Sequence, residues 1–165
     1  MPHYTPPLRD MQFLLHEVLD AVETLKLCPQ FAELDVDTVN AVLEEGGKFA
    51  AEALAPLNLP GDEQGCTLDK ATHEVTPPAG FKAAYAQYVE GGWAALSCDP
   101  EYGGQGLPFV MNQCLYEMLN SANQAWTMYP GLSHGAHAAL EAHGSDEQKK
   151  TYLPKLTSGE WTGTM

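Results

Sequence analysis

Along the first third of the chain, apolar residues recur at spacings of three and four. Leu8, Met11, Leu15, Val18, Val22 and Leu25 form one stripe, which predicts an amphipathic helix over Arg9 to Leu27 stopped by Pro29. A second helix is expected to start near Asp37, whose carboxylate can cap the free N–H groups there. It carries Val39, Val42, Leu43, Phe49, Ala50, Ala53 and Leu54, and Pro56 is expected to end it. Gly46 and Gly47 weaken it by roughly 1 kcal/mol each relative to alanine. From Leu57 to Gly80 turn residues dominate, predicting a long connection with one short extended piece at Glu74-Val75-Thr76.

Helical spacing returns in Phe81, Tyr85, Tyr88, Val89 and Trp93, which predicts a third helix over Phe81 to Trp93. Then comes Asp99-Pro100-Glu101-Tyr102-Gly103-Gly104-Gln105-Gly106-Leu107-Pro108, glycine-rich and bounded by two prolines. Glycine tolerates φ > 0 and proline fixes φ, so this segment suits one tight shape. Pro108 fits the first position of a helix bearing Val110, Met111, Cys114, Leu115, Met118 and Leu119. Another helical segment spans Ala125 to His143, with Pro130 as its kink or an early-turn residue. Gly144 is a C-terminal cap, and Ser145 with Gln148 forms a capping box for the last helix. From Gly159 to Met165 the chain reads as a strand cut short. The fold class is therefore all-α, an irregular bundle of about six helices with a truncated strand start at its C-terminus.

Composition narrows the function. The 165 residues suit one domain, and 8 Lys+Arg against 22 Asp+Glu give a net charge of −14. Such a surface repels nucleic acid and anionic lipid, so neither is an expected partner. No run approaches the ~18 apolar residues of a membrane span, and the N-terminus has no signal-peptide pattern. The expected compartment is cytoplasmic. Cys28, Cys66, Cys98 and Cys114 are widely spaced and are expected to be reduced thiols buried on helices.

Several patterns mimic catalytic sites. Gly131-Leu132-Ser133-His134-Gly135 matches the Gly-x-Ser-x-Gly elbow of serine hydrolases, yet no strand pattern precedes it, so Ser133 reads as a helical serine. His134 and His137 share a helix face at i, i+3, but no further ligand is in sequence reach, so no metal site is assigned. Glu117 has no partner placed by sequence and reads as a solvated helix position. Gly103-Gly104-Gln105-Gly106 fits neither common phosphate-binding fingerprint, leaving a corner between helices as the better reading. The small residues Gly131, Gly135, Ala136, Ala138 and Ala139 make one helix slim. They allow either close helix packing or space for an apolar ligand.

The Pro100 to Gly106 segment resembles the Pro-x-x-Tyr-Gly-Gly-x-Gly stretch of the acyl-CoA dehydrogenases. Gly144-Ser145-Asp146-Glu147-Gln148-Lys149-Lys150 and Tyr152-Leu153-Pro154-Lys155-Leu156 resemble that family's next landmark. The opening Met1-Pro2 to Met11 and its helix resemble an N-terminal extension in a larger branch, the one that includes 3-methylmercaptopropionyl-CoA dehydrogenase. The resemblance implies an extension helix over 1–36, an N-terminal helical domain over 37–158 and the start of a middle β domain over 159–165. It implies FAD and an acyl-CoA thioester enclosed between this domain, the middle domain and a C-terminal helical bundle. It further implies a glutamate base from that bundle, electron-transferring flavoprotein as acceptor, and a homo-oligomeric full-length enzyme. No catalytic residue is expected within the chain, and the fragment alone is expected to be inactive.

By position, the resemblance assigns Thr127, Met128, Gly131, Leu132 and Gly135 to the wall of the acyl pocket, and Met165 to the flavin's side. Two glycines there imply a roomier pocket than in medium-chain relatives. The acidic surface is a poor host for coenzyme A phosphates, which are expected to be held elsewhere. A stand-alone helical interaction module is the alternative reading, and a serine hydrolase a distant third.

Overall fold

The computed structural model describes residues 3–164. It is all-α apart from one two-stranded ribbon, and the bundle is irregular as expected. The helices are α1 (Leu8–Gln12), α2 (Ala21–Lys26), α3 (Val36–Lys48), α4 (Ala55–Gln64), α5 (Phe81–Glu90), α6 (Phe109–His143) and α7 (Asp146–Thr157). The ribbon pairs β1 (Thr67–Leu68) with β2 (Val75–Thr76) antiparallel. Its second strand is the extended piece expected at Glu74–Thr76.

The first stripe is not one helix. A π-helical stretch over Phe13–Val18 follows α1, and Asp20 adopts φ 46° before α2 begins. Asp is among the few residues that tolerate that left-handed conformation. Met11, Leu15 and Val22 still reach the core, but the wider turn leaves Val18 exposed.

Asp35, not Asp37, caps α3: its carboxylate accepts from Thr38 N at 2.6 Å. That backbone bond holds the Asp35 carboxyl below its usual range, while Asp37 lies in the first turn, where negative charge suits the helix dipole. Nor does Pro56 end the second helix. A π-helical turn over Phe49–Leu54 intervenes, so Pro56 falls in the first turn of α4, where a missing N–H costs nothing. The expected long connection is shortened accordingly. Gly46 is a close-approach glycine, since a Cβ there would lie 3.0 Å from Leu115 Cδ1 on α6.

The third helix stops at Glu90, three residues early, because Gly92 turns the chain at φ 72° and Trp93–Ala95 forms a separate 3₁₀ turn. Pro108 is the N-cap of α6, and that helix bends at Asn123 (φ −160°, ψ 87°) rather than at Pro130. Pro130 lies inside the helical second half, buried, and has no N–H to donate to Trp126 O. The Ser145–Gln148 capping box is present in both directions, at 2.9 and 3.3 Å. Gly144 caps α6 with extended rather than left-handed backbone, its N–H donating to Leu140 O at 2.7 Å.

Residues 159–164 form a turn and coil. A strand needs a paired neighbour, and among the described residues the ribbon's two strands pair only with each other. The cysteines need a correction. All four are free thiols, but Cys28, Cys66 and Cys98 lie outside the helices, Cys28 and Cys66 are exposed, and only Cys98 is fully buried.

The core joins Leu43, Leu54 and Tyr88 to Met111, Leu115, Met118, Leu119 and Trp126. Trp126 meets Tyr88 and Phe49 edge-on at 5.5 and 6.0 Å between ring centres, a geometry the aromatic quadrupoles favour.

Candidate functional site

The glycine-rich loop is a closed corner. Asp99 Oδ1 accepts from Glu101 N at 2.7 Å. Tyr102 N and Gly104 N donate to Asp99 O, Gly103 N to Pro100 O, Gln105 N to Ala95 O, Gly106 N to Cys98 O and Leu107 N to Leu96 O, all at 2.9–3.1 Å. Every amide from 101 to 107 is thus spent inside the chain, leaving none to hold a phosphate. Gly103 and Gly106 have φ of 88° and 66°, and a Cβ on Gly104 would lie 1.9 Å from Cys98 O. Three glycines are required here for three local reasons, and all of them are structural.

Downstream, the other suggestive side chains are also engaged. Ser133 Oγ accepts from Gly163 N at 3.1 Å and lies mid-helix, which removes the hydrolase elbow. His137 is buried with Nε2 3.2 Å from Thr157 Oγ1, and the His134 ring stacks on Phe109 at 5.5 Å. Burial lowers the pKa of both imidazoles. On the first half of α6, burial pushes the Tyr116 hydroxyl up to about 12.

The second half of α6, residues 124–143, carries the five positions expected to line an acyl pocket. Met128, Leu132 and Gly135 recur at i, i+4, i+7 and so share one stripe; Met128 and Gly135 are exposed and Leu132 is half-buried. Gly131 flanks this stripe, half-buried. Thr127 does not share it. It is fully buried, and its Oγ1 donates to Asn123 O at 2.9 Å. Met165 lies outside the described residues.

Space distinguishes these two glycines from those of the corner. A Cβ on Gly135 would meet nothing within 4 Å, and one on Gly131 would reach only ordinary contact with Tyr116 Cε1 at 3.5 Å. Neither has a positive φ. Backbone conformation and packing therefore leave both glycines unexplained within this chain. Close packing does account for a neighbour: a Cβ on Gly163 would lie 2.6 Å from that of Ala136.

Sequence reasoning missed three features around this face. Asn123 starts the second half of α6, and an Asn between two apolar helical runs is the signal that marks it. Tyr129 is exposed, meets Tyr85 edge-on at 5.2 Å and lies 3.1 Å from Thr162 Oγ1. Thr162 and Gly163 run along the helix beside the stripe. A hollow of about 770 Å³ adjoins the start of this segment, walled by Pro78, Phe81, Tyr85, Trp126 and Tyr129. A larger hollow of about 880 Å³ lies away from it between α3 and α5, with Glu45, Lys48 and Glu52 in its lining.

Known proteins match nearly the whole of the chain. The sequence model for "Acyl-CoA dehydrogenase, N-terminal domain" matches residues 36–160. A 3-methylmercaptopropionyl-CoA dehydrogenase of Ruegeria pomeroyi is 41% identical over 98% of the chain. A butyryl-CoA dehydrogenase of Syntrophomonas wolfei is 32% identical over 99%. A broad-specificity linear acyl-CoA dehydrogenase of Mycobacterium tuberculosis is 33% identical over the full chain. The chain spans 27%, 27% and 26% of these relatives' lengths, about a quarter of each.

Proposed function

The chain belongs to the acyl-CoA dehydrogenase family, and on that premise we propose that it is the N-terminal helical domain of an FAD-dependent enzyme. Its part is to supply one wall of the acyl-chain pocket. The observation that carries this reading is the open space over Gly135, with Gly131 uncrowded one turn earlier, beside an apolar stripe. A helix interior favours alanine over glycine by about 0.5–1 kcal/mol, so glycine kept where nothing crowds it points to room reserved for something else. Met128 and Leu132 offer apolar surface without a charge, which suits a hydrocarbon tail.

The amides of the glycine-rich loop already donate within the chain, so that loop is not the proposed holder of a pyrophosphate. By family resemblance, the principal FAD site, the catalytic glutamate and the hold on the coenzyme A phosphates are assigned to other parts of the enzyme, with Met165 alone at the flavin's side. Electron-transferring flavoprotein is the proposed acceptor and a homo-oligomer the proposed assembly, both from family resemblance. What this chain contributes is shape: it binds and orients the tail and keeps water from it. The test is acyl-CoA-dependent reduction of a dye acceptor by the complete polypeptide carrying this chain, supplied with FAD. Turnover by that polypeptide and none by residues 1–165 is expected. No turnover with any straight or branched acyl-CoA, or turnover by the fragment, contradicts the proposal.

A further inference from the structure

Two irregularities of the fold meet at one side chain. Asn123 bends α6 and is 1% exposed. Facing it is the π-helical turn Phe49–Leu54, whose last carbonyl, Leu54 O, accepts from Asn123 Nδ2 at 3.3 Å. The other end of the amide, Oδ1, accepts from Trp126 N at 3.1 Å and caps the second half of the helix. Trp126 is itself held by Nε1 donating to Phe81 O at 3.2 Å. One amide thus joins the π turn to the start of the segment that carries Met128, Gly131, Leu132 and Gly135.

Leverage makes that joint consequential. At about 1.5 Å per residue, Gly135 lies about 18 Å along the axis from Asn123, so a tilt of about 3° moves it by about 1 Å. The first half of α6 cannot set this direction, because regular helix geometry is lost at Asn123. Side chains with both a donor and an acceptor at that reach are few: Asn has both, Asp lacks the donor, and Ala lacks each.

We propose that Asn123 is a positioning residue for acyl-chain selectivity, fixing the angle at which the pocket wall is presented. The inference rests on the acyl-pocket reading above. It is tested in the complete enzyme by the ratio of kcat/KM for octanoyl-CoA to that for butyryl-CoA. Asn123→Ala is expected to change this ratio about tenfold, within the range that a misplacement of about 1 Å produces. Leu119→Ala, buried one turn earlier, is expected to lower stability and leave the ratio unchanged. If Asn123→Ala does not fold, Asn123→Ser carries the test, since its hydroxyl keeps an acceptor for Trp126 N but is too short to reach Leu54 O. An unchanged ratio in the folded Asn123 variant, alongside a ratio moved by Gly135→Leu, overturns the proposal and leaves the wall standing. A ratio unmoved by Gly135→Leu overturns the wall and this inference with it.

Discussion

The two halves of α6 share one helix and behave as different materials. Residues 109–122 are gripped by the core: Met111, Leu115, Met118 and Leu119 are at most 2% exposed, and Gly46 lets α3 close on them. Residues 124–143 keep Trp126, Thr127, Pro130 and His137 inside, yet turn Met128 and Tyr129 outward at more than half exposure. An apolar face left open on an acidic domain is a surface awaiting a neighbour. The first half is what the domain needs to fold, and the second holds what the domain offers.

That contrast can be broken by truncating each half. Leu119→Ala should cost about 2–5 kcal/mol, as buried leucines do, whereas Met128→Ala should stay within about 0.5 kcal/mol. Urea denaturation of the two variants reads the difference, and equal losses would erase the distinction. The glycines sharpen it next. Gly104→Ala, forced against the Cys98 carbonyl, should destabilise by about 1–3 kcal/mol and lower the thermal midpoint.

Tyr116 lies on the gripped half, and its response to pH is a smaller, separable effect. Its folded pKa of about 12 exceeds the ordinary 10, so the folded state holds the proton more tightly. That contribution is complete below pH 10 and is lost as pH rises through about 12. Stability should therefore fall between these limits, and Tyr116→Phe should flatten the fall. At the small end, Gly135→Ala should stabilise the chain by about 0.5–1 kcal/mol, because nothing occupies the space of its Cβ. A loss there would mean that the glycine is structural after all.

Much of the fold was legible because its signals are local. Stripes at helical spacing marked α3, α5 and both halves of α6, and the Ser145–Gln148 box and the corner at 99–108 followed from side-chain and φ preferences. What escaped depended on register. The π turns at Phe13–Val18 and Phe49–Leu54 leave the apolar pattern almost intact while adding backbone, so one stripe read as one helix and Pro56 read as a stop. The bend fell at Asn123 instead of Pro130 because its partner, Leu54 O, lies 69 residues away. For the candidate site, sequence resemblance named the helix and the five positions. It could not show that Thr127 turns inward while the space over Gly135 stays empty and Gly131 is left uncrowded.

The most direct measurement is the acyl chain-length profile of the complete enzyme bearing Gly135→Leu, taken alongside its thermal midpoint. A leucine in that open space should leave the midpoint unchanged or raised. It should lower kcat/KM for long acyl chains more than for short ones. An unaltered profile with a leucine in place would contradict the assignment of this helix face to the acyl pocket.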